Sequence, residues 1–359
     1  MYNLFDQTWI NQPKFMDVAV WQTTARKIFQ HVQNNNISRV NIILHGGEPL
    51  LLGKEKTRQL LSDLQTTLDL PGLEVTYSVQ TNATLLDQEW IDLFYEAGVS
   101  VGVSMDGDEF THDTNRVDHA GRGSYKQVRS AIELLLATDR GREVFSAVLS
   151  VINIESDPLA TLHHFLSLGV GRVDFLLPDS NYVTYPSKKS SFDDTRYADW
   201  LITLFDEYMR LNDTTLRIRI FNVIIGLLIG YTQSMDSLST NPIGIVVIEA
   251  NGDISSLDSL KASVESNLGL NILCDDFTEI HHKPLIELQL SGYAGLCDTC
   301  KACPYVKVCG GGYLPHRFSQ EAGFNNPSVY CRDLYKLIEH IQGHLIYLKK
   351  GLEATAVAD

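Results

Sequence analysis

Residues 40–49, Val-Asn-Ile-Ile-Leu-His-Gly-Gly-Glu-Pro, join an apolar run to a glycine-rich loop. The run Val40–Leu44 suits a parallel strand that is buried on both faces. Similar runs follow at Glu74–Val79, Ser100–Ser104, Val144–Val151 and Arg172–Leu177. Segments with helical periodicity separate them: Val18–Asn34, Lys54–Leu70, Asp87–Ala97 (with Asp87 as N-cap and Gly98 as stop), Tyr125–Thr138 and Asp157–Leu168. Repeated βα units predict an α/β fold with a parallel sheet, either open or rolled into a barrel.

Residues able to bind a ligand follow each predicted strand: His45–Pro49, Gln80–Asn82, Met105–Gly107, Asn153 and Pro178–Asn181. The carboxyl ends of parallel strands share one edge, so we predict a ligand site there, although turn formation alone could explain any single loop. Gly46 and Gly47 leave the backbone open to a ligand, and the Glu48 carboxylate suits a ligand ammonium. Asp106 is a candidate for ligand binding or proton transfer. His45 could line the site or be structural.

All six cysteines lie between Cys274 and Cys331, and none occurs among residues 1–273. The motif is Cys297-x2-Cys300-x2-Cys303-Pro304-x4-Cys309-Gly310-Gly311-Gly312, with Cys331 further on. Pro304 and the glycines allow tight turns. The spacing favours iron–sulfur ligation over zinc, and zinc stays open as the alternative. We expect Cys274 to be a free thiol and His281-His282 to be a surface pair.

The composition narrows the classes of function. The 359 residues carry 29 Lys and Arg against 44 Asp and Glu, a formal net charge of −15. This excess disfavours binding to nucleic-acid phosphates or to an anionic membrane surface. No targeting segment is visible, and the longest apolar stretch, Phe221–Tyr231, is about half of the ~20 residues that a spanning helix needs. We read that stretch as a buried amphipathic helix and predict a cytoplasmic protein.

The remaining segments suggest how the chain is divided. Asp179–Arg196 is polar and resembles a surface loop. Ile243–Ala250 followed by Asn251-Gly252 is a hairpin signal, and a final amphipathic helix runs from about Arg332 to Lys350. We predict domains at residues 1–235 and 236–335, with a helix and tail at residues 336–359.

Four longer motifs stand out: His45-Gly-Gly-Glu-Pro-Leu-Leu, Gln80-Thr-Asn-Ala-Thr-Leu-Leu, Val103-Ser-Met-Asp-Gly and Cys300-x2-Cys303-x5-Cys309-Gly-Gly-Gly. Together they resemble those of radical S-adenosylmethionine (SAM) enzymes that carry a C-terminal SPASM domain. Further motifs resemble FxsB-type peptide maturases, which form cyclophane crosslinks in ribosomally made peptides. These are Asp6-Gln-Thr-Trp, Gly121-Arg-Gly-Ser-Tyr, Asp174-Phe-Leu-Leu-Pro, Tyr197-Ala-Asp-Trp-Leu, Asp258-Ser-Leu-Lys and Asn326-Pro-Ser-Val-Tyr-Cys331.

The resemblance implies a partial TIM-like (β/α)6 barrel that lacks its first strand, followed by a SPASM domain. It implies that Gly46, Gly47, Glu48 and Pro49 hold the methionine end of SAM, with Asn82, Ser104 and Asp106 near its ribose or the substrate. It also implies an auxiliary 4Fe-4S cluster on Cys297, Cys300, Cys303, Cys309 and Cys331. The implied reaction starts from a 5′-deoxyadenosyl radical that removes a β-hydrogen from a precursor peptide, whose carbon then couples to an aromatic ring. The implied partners are that peptide and an electron donor such as flavodoxin or ferredoxin.

The chain departs from this pattern at its cluster ligands. Such enzymes use a Cys-x3-Cys-x2-Cys motif after the first strand to hold the cluster that reduces SAM, and this chain has no cysteine before Cys274. We therefore expect an N-terminally truncated form, with Met1 an internal methionine, that is poorly soluble and cannot cleave SAM. Tyr313 and the pair Ser255-Ser256 replace further usual cysteines, which puts a second auxiliary cluster in doubt. A non-catalytic remnant or partner subunit that binds peptide and metal is the alternative, and an unrelated zinc-containing α/β protein is a weaker one.

Overall fold

The structure is a computed structural model that describes residues 10, 12–232 and 235–356, with only the backbone for residues 351–356. Met1 and the motif Asp6-Gln-Thr-Trp lie outside the described residues. The chain divides into two compact units. The first comprises the described parts of Met1–Val151, His164–Asp174 and Ile245–Glu287, and the second comprises those of Ile152–His163, Phe175–Gly244 and Leu288–Asp359. The boundaries that we predict at residues 235 and 335 stay a prediction.

Six strands form one sheet in the order β1-β2-β3-β4-β5-β6. Their bounds are β1 (Arg39–Leu44), β2 (Glu74–Thr81), β3 (Val99–Ser104), β4 (Phe145–Val151), β5 (Arg172–Leu176) and β6 (Arg217–Ile218). The pairs β1–β2, β2–β3 and β3–β4 are parallel. The α/β class and the parallel sheet are therefore confirmed, whereas the partial barrel stays a prediction.

The strands are separated by helices, as the periodicity predicts. In the described chain the helices are α1 (Val18–Asn35), α2 (Lys54–Thr67), α3 (Gln88–Glu96), α4 (Glu109–Asn115), α5 (Tyr125–Ala137), α6 (Asp139–Val144), α7 (Pro158–Ser167), α8 (Arg196–Leu211), α9 (Arg219–Leu228), α10 (Pro284–Leu290), α11 (Asp298–Lys301), α12 (Val306–Cys309) and α13 (Cys331–Ala356). The predicted N-cap is confirmed, since the Asp87 carboxylate accepts from Trp90 N at 3.0 Å. Gly98 follows α3 with a left-handed φ of 62°, as its role as a stop requires.

Residues 247–271 form a small antiparallel sheet in the first unit. It contains β7 (Val247–Ile248), β8 (Asp253–Ser255) and β9 (Asn267–Asn271), with β7 and β8 paired across the predicted hairpin. Ile254 and Leu270 of this sheet are buried in one cluster with Val20 of α1. This packing agrees with the place of the hairpin in the first unit.

The structure corrects several details. β1 is not buried on both faces, because its side chains alternate between exposed and half-buried and Ile43 is 55% exposed. Within the described residues β1 pairs with β2 alone, so it is an edge strand of the sheet. The predicted loop Asp179–Arg196 ends where α8 begins at Arg196, and it is not confined to the surface, since Lys189 is buried. The final helix starts at Cys331 and continues to Ala356.

The apolar stretch at Phe221–Tyr231 lies mainly in α9, which buries Phe221, Val223 and Ile224 as expected. Ile229 and Tyr231, beyond the end of α9, are exposed. None of the helices in the described ranges has both the length and the apolar character needed to cross a bilayer.

Candidate functional site

The Gly-Gly-Glu-Pro loop follows β1 at the carboxyl edge of the parallel strands. Gly46 has a φ of 118°, which favours glycine, and a Cβ atom placed on Gly46 or Gly47 would meet no atom within 4 Å. The loop therefore leaves open space beside its backbone, as a ligand cradle requires. Pro49 then begins a short 3-10 helix, Pro49–Leu52.

Glu48 ties this loop to the end of β2. Its Oε1 accepts from Leu50 N at 3.0 Å and from the Thr81 hydroxyl at 2.6 Å, while Oε2 accepts from Asn82 N at 2.9 Å. A carboxylate oxygen has two lone pairs, so Oε2 retains capacity for one further donor. Glu48 thus shapes the loop and can still accept from a ligand ammonium.

The neighbouring strand ends carry the other predicted residues of the first unit. The Asn82 side-chain oxygen accepts from the backbone N and the hydroxyl of Thr84, which forms an Asx turn. The Ser104 hydroxyl accepts from Gln80 Nε2 at 2.8 Å. The Gln80 amide lies over Gly102, where a Cβ would be 2.2 Å from its oxygen. A glycine in β3 thus makes room for the polar pair formed by Gln80 and Ser104.

Asp106 is buried and occupied by three donors. Arg116 donates through Nε at 2.5 Å and through Nη2 at 3.1 Å, and Val151 N donates at 2.8 Å. A bidentate guanidinium and a backbone donor hold the carboxylate in one orientation. The sequence places Arg116 after Asp106 but does not indicate that they pair. The role of Asp106 in proton transfer stays a prediction.

His45 is half-exposed and lies beside the Asp258-Ser-Leu-Lys motif. Its Nδ1 is 3.7 Å from Asp258 Oδ2, and Lys261 Nζ is 2.9 Å from the other oxygen of the same carboxylate. Burial opposes the charge on Lys261, but Asp258 and Glu249 outweigh it and raise its pKa. Sequence reasoning singled out both segments without showing that they meet.

The cysteine motif lies in the second unit. Cys297, Cys300, Cys303, Cys309 and Cys331 are free thiols, and Cys331 is the first residue of α13. The predicted glycine turn is confirmed: Gly310, Gly311 and Gly312 have φ values of 63°, 83° and 73°. A Cβ on Gly310 would lie 1.7 Å from Ser239 O, so only glycine fits there. Cys274 is exposed and belongs to the first unit, which agrees with a free thiol.

The thiols of this group are electrostatically coupled. Burial raises the pKa of Cys300, and negative charge on Cys297, Cys309 and Cys331 raises it further. Burial also raises the pKa of Cys309 to about 12, with a further contribution from Cys331. The positive charge of a bound metal would offset the repulsion between thiolates. Thiolates are soft ligands, which suits them to iron and zinc. No three His, Cys, Asp or Glu side chains in the described ranges are arranged to hold a single metal ion.

Two residues that the sequence reasoning missed flank the cysteines. Burial raises the pKa of Tyr182 to about 12, and negative charge on Cys331 adds to the shift, while the Tyr182 hydroxyl donates to Pro327 O at 3.0 Å. Arg317 is buried, and negative charge on Cys300, Cys297 and Cys309 favours its cationic form. The sequence offers only weak signals for these two residues. Tyr182 is an aromatic residue in a polar loop, and Arg317 is an arginine that follows a glycine turn.

Comparison with known proteins places these features in a class. Residues 13–161 match the family described as the Radical SAM superfamily. The chain is similar to the serine-type anaerobic sulfatase-maturating enzyme of Bacteroides thetaiotaomicron, with 26% identity over 348 residues, 90% of this chain and 81% of that enzyme.

Solved structures agree on the fold. Native anSMEcpe with bound AdoMet superposes with a TM-score of 0.82 at 22% identity, covering 98% of this chain and 95% of that one. Native anSMEcpe with bound AdoMet and the Kp18Cys peptide superposes with a TM-score of 0.78 at 23% identity, covering 94% of this chain and 91% of that one. These identities support a shared fold.

Proposed function

We propose that this chain binds SAM and a ribosomally made precursor peptide as part of a peptide maturase of the FxsB type, which forms side-chain crosslinks. The observation that carries the proposal is the open Gly46-Gly47 backbone beside Glu48, at the carboxyl edge of parallel strands. One solved structure with this fold holds both AdoMet and a peptide, which supports a peptide substrate.

The proposed cofactor site uses residues of the first unit. Gly46, Gly47 and Pro49 would line the methionine end of SAM, and Glu48 Oε2 would accept from its ammonium. Asn82 and Ser104 would lie towards the ribose. Asp106 is proposed to accept or donate a proton. Its three hydrogen-bond donors, two from Arg116 and one from Val151 N, favour instead a structural role that fixes Arg116. An Asp106→Asn variant separates these two roles.

The proposed auxiliary site uses Cys297, Cys300, Cys303, Cys309 and Cys331. These five thiols can supply the four thiolates that a 4Fe-4S cluster takes, with one in excess. When bound, such a cluster transfers electrons. The thiolates of this chain would anchor it, and the three glycines would let the backbone turn around it.

Residues 1–273 do not fit the cluster that reduces SAM, because they contain no cysteine. We therefore propose that residues 1–359 do not cleave SAM by themselves. Two candidates are consistent with the missing thiolates. The first is a truncated enzyme, and the second is a non-catalytic partner that binds peptide and metal. An in-frame Cys-x3-Cys-x2-Cys encoded upstream of Met1 would support the first, and a stop codon without it the second.

The decisive experiment is anaerobic reconstitution of residues 1–359 with iron and sulfide. We expect bound iron but no 5′-deoxyadenosine after reduction in the presence of SAM and a flavodoxin or ferredoxin. A Cys300→Ser/Cys303→Ser double variant, which leaves three of the five thiols, should lose iron, while the matched variant Cys274→Ser, at the exposed thiol, should keep it. Formation of 5′-deoxyadenosine would refute the proposed inactivity, and zinc in place of iron would refute the auxiliary cluster.

The SAM cradle has its own test. Gly47 has open space and no left-handed φ, so Gly47→Val should fold but fill the proposed ligand space. We expect equilibrium dialysis with labelled SAM to show loss of binding in Gly47→Val. Gly244→Val, at another open glycine, is the control. Equal binding by both variants would place SAM elsewhere.

A further inference from the structure

Arg317 is a buried side chain beside the cysteines to which neither the motifs nor the proposed function gives a role. It ends a short 3-10 helix, Leu314–Arg317, and is 5% exposed. Its Nε and Nη2 donate to Phe324 O at 3.1 and 2.9 Å, and Nη2 also donates to Gly295 O at 2.6 Å. These hydrogen bonds fix the plane of the guanidinium and leave Nη1 outside them.

The charge of Arg317 is not balanced by a carboxylate. In the part of the chain that the structure describes, the Arg317 guanidinium hydrogen-bonds only to backbone carbonyls and forms no ion pair. A buried cation without a counter-ion is costly, and burial lowers its pKa. The groups that favour its charged form are Cys300, Cys297 and Cys309.

The backbone of Gly311 lies between the guanidinium and one of the thiols. A Cβ built on Gly311 would lie 3.8 Å from Arg317 Nη1 and 3.8 Å from Cys300 Sγ. The two atoms are therefore no more than about 7.6 Å apart, across a backbone that carries no side chain. At this separation in a buried site, a charge interaction is only weakly screened by salt.

We propose that Arg317 is the counter-ion of an iron–sulfur cluster held by these cysteines and raises its reduction potential. This inference rests on the proposed function, which assigns the cluster to Cys297, Cys300, Cys303, Cys309 and Cys331. Four thiolates give such a cluster a net negative charge, and net charge and hydrogen bonds to sulfur set its potential. A fixed buried cation favours the reduced form, which carries one more electron.

The test is a redox titration of the anaerobically reconstituted full chain, followed by electron paramagnetic resonance. Iron and sulfide are measured first. In Arg317→Met with normal iron, we expect the ratio of reduced to oxidised cluster at a fixed potential to fall at least tenfold, which corresponds to 59 mV for a one-electron couple. Arg317→Lys, which keeps the charge, should recover most of the shift.

Arg332→Met is the matched control, because Arg332 adjoins Cys331 but is 55% exposed and pairs with Asp193. We expect a shift below about twofold there, since solvent screens an exposed charge. Normal iron with an unchanged potential in Arg317→Met would overturn the role of Arg317 alone. A wild-type protein without iron would overturn the proposed function and this inference with it.

If Arg317→Met holds no iron, Arg317→Lys and Arg317→Gln decide the question. Iron retained in the lysine variant and lost in the glutamine variant supports the charge role. Equal loss in both would assign Arg317 to folding through its hydrogen bonds and would overturn the inference.

Discussion

Replacing Lys189 by Met should strongly destabilise the second unit. The side chains of Lys189 and Asp333 form an ion pair and are 0% and 1% exposed. Asp333 Oδ1 also accepts from Ala198 N, in the first turn of α8, at 3.0 Å. Without Lys189, a buried carboxylate keeps only backbone donors and no counter-ion. Breaking such a pair costs about 3–5 kcal/mol, because the remaining charge stays out of water.

The neighbouring lysine supplies a matched control. Lys188 pairs with Glu155 at 2.9 Å, but the two side chains are 53% and 65% exposed. Exposed pairs contribute about 0–1 kcal/mol, so Lys188→Met should have little effect. Urea denaturation of the metal-free protein, followed by circular dichroism, measures both variants.

A double variant tests the origin of the cost. Asp333→Asn keeps an acceptor for Ala198 N and removes the unpaired charge. Lys189→Met/Asp333→Asn should therefore recover at least about 1 kcal/mol relative to Lys189→Met. A loss below about 1 kcal/mol in Lys189→Met, equal to that in Lys188→Met, would refute the reasoning.

Three further predictions concern single buried groups. Asp106→Asn should lower the free energy of unfolding by about 2–4 kcal/mol in urea denaturation, because Arg116 loses its counter-ion. Burial lowers the pKa of His316 to about 3. As the pH falls below about 6.5, the unfolded chain therefore binds a proton on this histidine while the folded chain does not. The free energy of unfolding of the wild type, relative to that of His316→Phe, should drop by about 2 kcal/mol between pH 7.5 and pH 5. Gly102→Ala should cost about 1 kcal/mol in thermal unfolding, because its Cβ would displace the Gln80 amide and break the hydrogen bond from Gln80 to Ser104.

Each of these has a contradicting result. Asp106→Asn with unchanged stability would favour proton transfer over anchoring. A His316→Phe variant with the same pH dependence as the wild type would contradict the assignment of that loss to His316. Gly343→Ala, in an open position of α13, should instead stabilise by about 1 kcal/mol. Equal effects of the two glycine variants would show that Gly102 is not constrained by Gln80.

Local patterns predicted the elements well. Apolar runs placed β2 to β5 within two residues of their bounds, and Asp87 and Gly98 marked the limits of α3. The patterns failed where neighbouring elements decide the outcome: α6 (Asp139–Val144) was not predicted as a helix, and β1 was expected to be buried on both faces. Burial of a strand depends on what packs against it, and the strand's own residues do not encode that.

The sequence by itself determined the chemistry on offer: a glycine-rich loop with a carboxylate after an apolar strand, and thiols confined to residues 274–331. Residue types and spacing are enough for this, because strands, turns and thiolate ligands are local properties. Only the tertiary structure showed that Glu48 is bound to the end of β2, that Arg116 holds Asp106, and that Arg317 lies among the cysteines without a carboxylate. These contacts join residues whose meeting depends on how the chain packs, and no local pattern carries that information.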